Sequence, residues 1–515
     1  MIQLWPFQGS MVDRVREAIR RGHKKILIQA PTGSGKTVIG SHMIHGAEQK
    51  GNPVLFFAHR RQLVDQAADK LDRFGVRNGT IMRGEERDVF AGVQIASVDT
   101  FRSWVMNKMR VEWPDAKLLF VDEAHRSLSP TYLEIINRYV ERGTIVIGLT
   151  ATPIRGDGRG LGNVYDVLIH GPQIHELVRD GYLAPPIQFA PSIPDLTGVR
   201  TTAGDWNAAD LDRALNQKHL IGDVVENWMR YARGRPTIAF ATSVAHSMGL
   251  ADEFLRCGVN AVHIDAETSD FDREKVEKDM ESGRISVVTN CMVLTEGVDW
   301  PFLSCCIIDR PTKNRGLYLQ MAGRVMRIAP GKTDTMILDH SGCTYRHGRV
   351  MLPYTWTLDT KRFSDKDAKK AAKARSKKEF TCPNCACVFG GSDKCPHCGY
   401  VMRKFGQHIV NKDGVLVMID EDGREVPAKY TIEEYQHWLD MFEEKRYDRP
   451  NREPFSDRWR NERFMEKFGF WPPEELQGQC QRRPLNGECR AWFQHLQIKW
   501  AKRNKQRDSV APEPA

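Results

Sequence analysis

The chain has 515 residues, with 75 Lys and Arg against 66 Asp and Glu and a formal net charge of +9. That length exceeds one hydrophobic core and points to about three domains, and the mild basic excess suits a polyanionic partner without demanding one. No apolar run reaches the roughly 18 residues of a membrane span, and the start (Met1-Ile2-Gln3-Leu4-Trp5) lacks the basic and apolar regions of a secretory signal. The 12 cysteines are scattered in apolar strands or set as C-x-x-C pairs, so a reducing cytoplasm is the expected setting.

In chain order, Leu4-Trp5-Pro6-Phe7-Gln8 comes first. Phe7 can stack on a base and the Gln8 amide can read an adenine edge, but the pentapeptide also reads as a plain helix start. Ala30-Pro31-Thr32-Gly33-Ser34-Gly35-Lys36-Thr37 follows an apolar run and opens a segment with helical spacing. Strand, glycine-rich turn and helix make a phosphate-binding loop. Its N–H groups point at an anion, Lys36 can reach the β- and γ-phosphates of a nucleotide, and the Thr37 hydroxyl can ligate Mg²⁺. Ala30 replaces the usual first glycine, while Gly33 and Gly35 keep the close approach to phosphate.

Further apolar runs at 54–58, 93–97, 117–121 and 144–149 alternate with a helical pattern over 59–71 and others, which predicts a parallel, doubly wound α/β sheet. In such sheets ligands bind beyond the carboxyl ends of the strands. There lie Asp122-Glu123-Ala124-His125 and Thr150-Ala151-Thr152-Pro153. Asp122 can hold Mg²⁺ opposite Thr37, and Glu123 can orient and deprotonate the attacking water. The two threonines, taken alone, read as a helix cap. The glycine-dense stretch 154–162 reads as a mobile loop, followed by a helix-like stretch, and Pro185-Pro186 marks the exit from the first domain.

Gln8, APTGSGKT, DEAH and TATP together resemble a superfamily 2 DEAD/DEAH-box helicase. Residues 58–66 are similar to the family's motif Ia and 97–101 to motif Ib, both of which lie against nucleic acid in the family. His59, Arg60, Ser97 and Thr100 suit that role by type, although a solvated helix face accounts equally for Arg60 or Arg61. The resemblance also implies that His125, Thr150 and Thr152 couple hydrolysis to movement.

Residues 195–215 look like a linker, and strands expected at 237–241, 259–264, 285–289, 305–308 and 335–338 form a second α/β domain without a phosphate loop. Gln320-Met321-Ala322-Gly323-Arg324-Val325-Met326-Arg327 supplies two arginines expected on one helix face, suited to a γ-phosphate in its transition state. The segment resembles motif VI, which implies catalytic roles for Gln320, Arg324 and Arg327. Residues 295–299 resemble motif V, placing Gly297 and Asp299 near the nucleotide and Thr289 near nucleic acid. Thr242 stands where motif IV touches phosphate, or serves as an ordinary turn residue.

Residues 346–380 form a basic linker, read either as a solvated tether or as a phosphate-tracking arm. Cys382-Pro-Asn-Cys385 and Cys395-Pro-His-Cys398 are two knuckles of a structural Zn²⁺ ribbon over 381–402, with Cys387 and His397 left as spare donors. Short strands and turns are expected over 403–428. A helical region rich in basic and aromatic residues follows over 429–515; it reads as a small core or as a stacking platform for single strands.

The expected fold is thus α/β: two tandem RecA-like domains at 1–195 and 196–345, then the ribbon and a helical C-terminal region. The run 154–186, the 324–332 stretch and the ribbon resemble the RadD-like, type III restriction-subunit-like branch. The resemblance implies an ATP-dependent DNA helicase or translocase in repair, recombination or phage replication. Its partners would be single-stranded or branched DNA and a replication or repair protein, with no membrane. An RNA helicase and a motor subunit that does not separate strands remain the alternatives.

Overall fold

In the computed structural model, the description covers residues 3–494 except 60, 83–84, 89, 156–157, 191–193, 195, 203, 217, 360–378, 391, 393, 402–409, 413–414, 420–424, 427–431, 449–452, 469–471, 473 and 491. The chain divides into two units, Met1–Tyr400 and Val401–Ala515.

The first unit holds two sheets. The first comprises β1 (Lys25–Gln29), β2 (Val54–Ala58), β3 (Asn78–Met82), β4 (Glu85–Arg87), β5 (Val93–Ser97), β6 (Leu118–Val121), β7 (Ile145–Thr150) and β8 (Val167–His170). Their order is β4-β3-β5-β2-β6-β7-β1-β8, parallel except for the edge strand β4. Side chains alternate between two buried layers. Ile26, Ile28, Val54 and Phe56 enter one core, while Leu27, Leu55 and Phe57 enter the other. Burial on both faces is why these strands read as unbroken apolar runs.

The second sheet is β9 (Pro186–Phe189), β12 (Thr237–Phe240), β13 (Ala261–Ile264), β14 (Val287–Asn290), β15 (Cys305–Ile308) and β16 (Thr335–Asp339). Its order is β13-β14-β12-β15-β16-β9, all parallel. Between β9 and β12 runs a small hairpin, β10 (Thr201–Thr202) with β11 (Asp205–Trp206), and then the helix Ala208–Leu215.

Three expectations are corrected here. The stretch before Pro185, read as helical, contains strand β8, whose bonds to β1 complete the first sheet. The helix Ile174–Arg179 already packs Leu177 into the second core, and β9 pairs with β16. The boundary therefore falls near 172, not 195; the proline pair sits at the entry to β9, where Thr335 N–H donates to Pro185 O at 3.0 Å. The supposed linker 195–215 is partly ordered, because the Asp205 carboxylate accepts bonds from Thr312 Oγ1 and Lys313 N–H, both at 2.6 Å.

After β16 the chain turns back. Gln173 and Tyr354 exchange two bonds of 3.1 and 3.2 Å, Trp356 is buried beside Tyr354, and Leu358 packs on the first domain's core. Gly162 N–H donates to Leu358 O at 2.9 Å. A Cβ at Gly160 would fall 1.8 Å from Asp359 O, so this contact requires glycine. Residues 350–359 therefore form a strap from the second domain onto the first.

In the C-terminal unit, helices Ile432–Tyr447 and Asp457–Phe468 bury Tyr435, Trp438, Phe442, Phe464 and Phe468. Glu443 joins them by accepting from Arg446 and Arg460, each at 2.8 Å. Most of the aromatic residues expected as a core or a platform are core. The basic linker's lysines lie outside the described residues, as do Phe470 and Trp471 of the aromatic region.

Candidate active site

The phosphate loop leaves β1 at Ala30 and ends at Gly35, whose φ of 78° starts the helix Lys36–Glu48. Gly33 has φ 86°. Both are left-handed positions that other residues adopt at a cost. Gln8, 2% exposed, donates to Ser34 O at 2.9 Å and accepts from Trp5 N–H at 2.9 Å. In this structure Gln8 thus braces the loop instead of presenting its amide to a base. Phe7 is half-buried, 5.1 Å from the Tyr182 ring, and Trp5 lies 4.8 Å from the same ring. Tyr182, from the connector between domains, went unnoticed in the sequence.

Lys36 Nζ donates to Ala30 O at 3.4 Å, and burial lowers its pKa against the pull of Glu123 and Asp122. Burial and the neighbouring Glu123 raise Asp122 to about 7. A cation is what this site favours, and Asp122 with the Thr37 hydroxyl is a donor set that fits Mg²⁺. Burial would raise Glu123 too, but His125 and Lys36 outweigh it and hold it below its ordinary value. The Glu123 backbone has φ 47°, an uncommon conformation for a residue with a side chain, placed where the chemistry is.

The arginines do not share a helix face as expected. The helix Arg315–Gly323 ends one residue before Arg324, and Arg327 bridges to Leu183 in extended backbone. Both guanidiniums nevertheless converge, donating to Val298 O at 2.8 Å (Arg324) and 3.1 Å (Arg327). Arg327 also pairs with Asp299 at 3.1 Å. Burial and the adjacent Arg327 lower Arg324 to about 10. Gly297, with φ 80°, turns the motif V loop, and its carbonyl accepts from Gln66 Nε2 at 2.8 Å.

The two domains touch closely around this site. A Cβ at Gly323 would sit 2.6 Å from Thr32 Cβ, one at Gly316 2.7 Å from Thr152 Oγ1, and one at Gly33 2.8 Å from Leu183 Cδ2. Thr150 Oγ1 accepts from Thr152 N–H at 3.1 Å and donates to Thr152 O at 2.9 Å. These two threonines therefore form a turn that rests on the helix carrying Gln320. A cavity of about 490 Å³ opens on that helix, lined by His59, Asp99, His125, Arg126, Glu296 and Gln320 among others.

At its rim sits Glu296, 6% exposed. Its carboxylate is 2.8 Å from His59 Nε2, 3.4 Å from Arg126 Nη2 and 3.9 Å from His125 Nε2. His125 Nδ1 in turn lies 3.3 Å from Glu123 Oε2. Burial opposes ionisation of Glu296, but His59, Arg126 and His125 overcome it and hold the group at about 2. Sequence reasoning passed over Glu296 between two positions it did name, although an acid next to a turn glycine was the available signal.

The expected nucleic-acid contacts fare differently. His59 faces Glu296 across the cleft. Ser97 is buried at a helix start, and Thr100 follows it in the short helix Val98–Phe101. Thr242 Oγ1 lies 2.8 Å from His246 Nδ1, and Thr289 Oγ1 donates to Ser247 O at 2.8 Å, both fully inside the second domain. Short hydroxyls at the ends of central strands find buried partners first, so Thr242 and Thr289 present no side chain to a backbone here. Arg60 lies outside the described residues.

The ribbon pairs β17 (Glu379–Thr381) with β18 (Val388–Gly390). Cys382, Cys385, Cys395 and Cys398 place their sulfurs within 4.8 Å of one another, with 3.5 Å from Cys382 to Cys398 and 3.7 Å from Cys385 to Cys395. Tetrahedral Zn–S bonds of about 2.3 Å imply sulfur separations of about 3.8 Å, so the donor set and its geometry fit zinc. Cys387 and His397 stay out of the cluster, with His397 5.0 Å from the Phe189 ring.

A phosphate loop and a paired carboxylate on one RecA-like domain, faced by two arginines on another, define a two-domain nucleotide motor. The description "Type III restriction enzyme, res subunit" matches residues 1–155, and "Helicase conserved C-terminal domain" matches 218–329. A Lactococcus phage protein, named only as a 51.5 kDa protein, is 33% identical over 376 residues, covering 73% of this chain and 77% of its own. A Saccharomyces cerevisiae protein, provisionally named ATP-dependent helicase IRC3, is 30% identical over 360 residues. That match covers 66% of this chain and 51% of the yeast protein, so the chain spans about half the length of that relative. A fragment structure assigned to an HsdR subunit of a type I restriction enzyme from Vibrio vulnificus shares the fold, with TM-score 0.50 and 20% identity. It covers 66% of this chain and 65% of that one. The chain belongs to the superfamily 2 helicases, ATP-hydrolysing enzymes, in the branch of the restriction res subunits. Among the described residues, no helix is long and apolar enough to cross a membrane.

Proposed function

We propose that this protein is an ATP-driven DNA motor that uses closure of the two-domain cleft to move along or unwind DNA. The observation that carries the reading is convergence: Lys36 of the first domain lies within electrostatic reach of its own domain's Asp122 and Glu123 and of Arg324 and Arg327 from the second, and Glu123 within reach of Arg324. Asp122 and Thr37 would hold Mg²⁺, which neutralises charge on the triphosphate when bound. Lys36, its charge disfavoured by burial, has that charge favoured beside the phosphates. Glu123 stays ionised and accepts a proton from the attacking water. Arg324 and Arg327 exchange Val298 O for the γ-phosphate as charge develops there. Thr150 and Thr152, resting on the helix that leads to Arg324, relay the change between domains.

The likeness to restriction-enzyme subunits favours DNA over RNA. The Cys382, Cys385, Cys395 and Cys398 ribbon is read as a structural zinc site beside β9. ATP turnover measured with single-stranded, duplex and forked DNA and with RNA, at one stated salt concentration, tests the proposal. Stimulation by DNA and not RNA is expected; stimulation by RNA alone overturns it. Stimulation without strand displacement assigns the chain to translocation alone.

A further inference from the structure

We propose that Glu296 is a positioning residue that, in the closed cleft, ties His59 to the His125–Glu123 pair and so makes polynucleotide-stimulated hydrolysis depend on domain closure. The inference rests on the motor reading and adds to it a physical link between the nucleic-acid face and the water-activating carboxylate.

The two oxygens of Glu296 do different work. Oε2 is shared by His59 Nε2 at 2.8 Å and Arg126 Nη2 at 3.4 Å, while Oε1 faces His125 Nε2 at 3.9 Å. His125 reaches Glu123 through its other nitrogen, at 3.3 Å. One carboxylate from the second domain therefore stands within ion-pair distance of two imidazoles of the first, and one of those imidazoles stands at the same kind of distance from Glu123. A buried carboxylate persists only when cations or donors surround it, and here all three of these partners come from the opposite domain. Gln66, on the helix Arg61–Arg73, holds the neighbouring Gly297 carbonyl at 2.8 Å and so fixes the loop from the same side.

When the cleft opens, Glu296 leaves with the second domain and His125 loses its second anchor. The imidazole beside Glu123 is then held from one side only. A polynucleotide phosphate arriving at His59 acts on the other end of the same carboxylate. Closure and nucleic-acid engagement are thereby read by one group.

The test compares wild-type full-length protein with E296Q, which keeps shape and removes charge, and with H59Q. The DNA-stimulated kcat of E296Q is expected to fall at least about ten-fold, a part of the usual acid–base contribution, with KM for ATP and affinity for single-stranded DNA unchanged. E296D should recover part of the rate. The double variant H59Q/E296Q should be no slower than E296Q, because both changes cut one connection. Full stimulation of E296Q, or additive losses in the double variant, overturns the inference. A wild type that no polynucleotide stimulates overturns the motor reading instead. Basal turnover then decides on Glu296: an unchanged basal rate in E296Q removes its link to His125 as well. If E296Q fails to fold, E296D alone must show the lowered kcat at constant KM.

Discussion

Replacing Arg327 with alanine separates chemistry from folding. Arg327 gives three interactions: the 3.1 Å bond to Val298 O, the 3.1 Å ion pair with Asp299 and a backbone bridge to Leu183. The bridge survives the substitution. Asp299 is 54% exposed, so the ion pair is worth under about 1 kcal/mol, and the single hydrogen bond adds about 1 to 2 kcal/mol. The variant should therefore fold, with a melting temperature a few degrees lower. Arginines that reach a transferring phosphoryl group contribute about 10³–10⁵ in rate, or about 4–7 kcal/mol of barrier. The two effects differ enough to be told apart. R327A should bind ATP with near-normal affinity and hydrolyse it at least about 10³-fold more slowly. Arg324, 6% exposed, is the poorer choice because its removal also opens the interior. Steady-state turnover and nucleotide binding on the same preparation, with a melting curve as control, make the assay. Undiminished turnover by folded R327A refutes the arginine-finger assignment.

Burial and Glu123 raise Asp122 from its ordinary 3.8 to about 7, so near neutral pH the nucleotide-free protein carries this group partly protonated. Binding of Mg²⁺–ATP should release a proton and weaken as pH falls below 7; titration calorimetry in buffers of different ionisation enthalpy reads the proton, and D122N should abolish it. Asp122 also costs the nucleotide-free fold stability as pH rises from about 4 to 7, whereas Glu296, held at about 2, adds stability above its ordinary 4.5 that is lost as pH falls toward 2. An E296Q melting profile that keeps the wild-type acid dependence would contradict that contribution. Gly35→Ala forces a side chain onto φ 78° and places its Cβ 2.4 Å from Gln8 Nε2, so we expect about 1–2 kcal/mol lower stability and lost ATP binding. Atomic emission should find one zinc per chain, and C385S should lose it; full-length protein free of zinc, with the wild-type melting curve, would refute the ribbon.

Much of the site was legible because a phosphate loop and its partners are local patterns. GSGKT fixes a turn and a helix start together, and DEAH ends a buried strand, so each motif announces its own geometry. What was missed depends on contacts far apart in sequence. Strand β8 looked helical because its few apolar residues lie between polar ones, yet β1 supplies its bonds. Arg324 and Arg327 were expected on a helix by spacing, and it is Val298 O, a backbone atom with no sequence signature, that brings them together. Thr242 and Thr289 were named for their type, but a hydroxyl is drawn to the nearest buried partner before any ligand. The aromatic C-terminal region likewise spends its rings on itself, which composition alone left open.

The strap over 350–359 gives the two domains a second tie, non-covalent where the connector is covalent. The first is the connector through Gln173 and Tyr182; the second fastens at Leu358 and Gly162. Two bodies joined at two points cannot drift apart freely. A relative motion that keeps both attachments is a rotation about the line through them. Each domain also stays at a high effective concentration for the other, because the tethers are short. Re-closing after a turnover is then a unimolecular step, and nucleotide binding need not supply the free energy of finding the partner again.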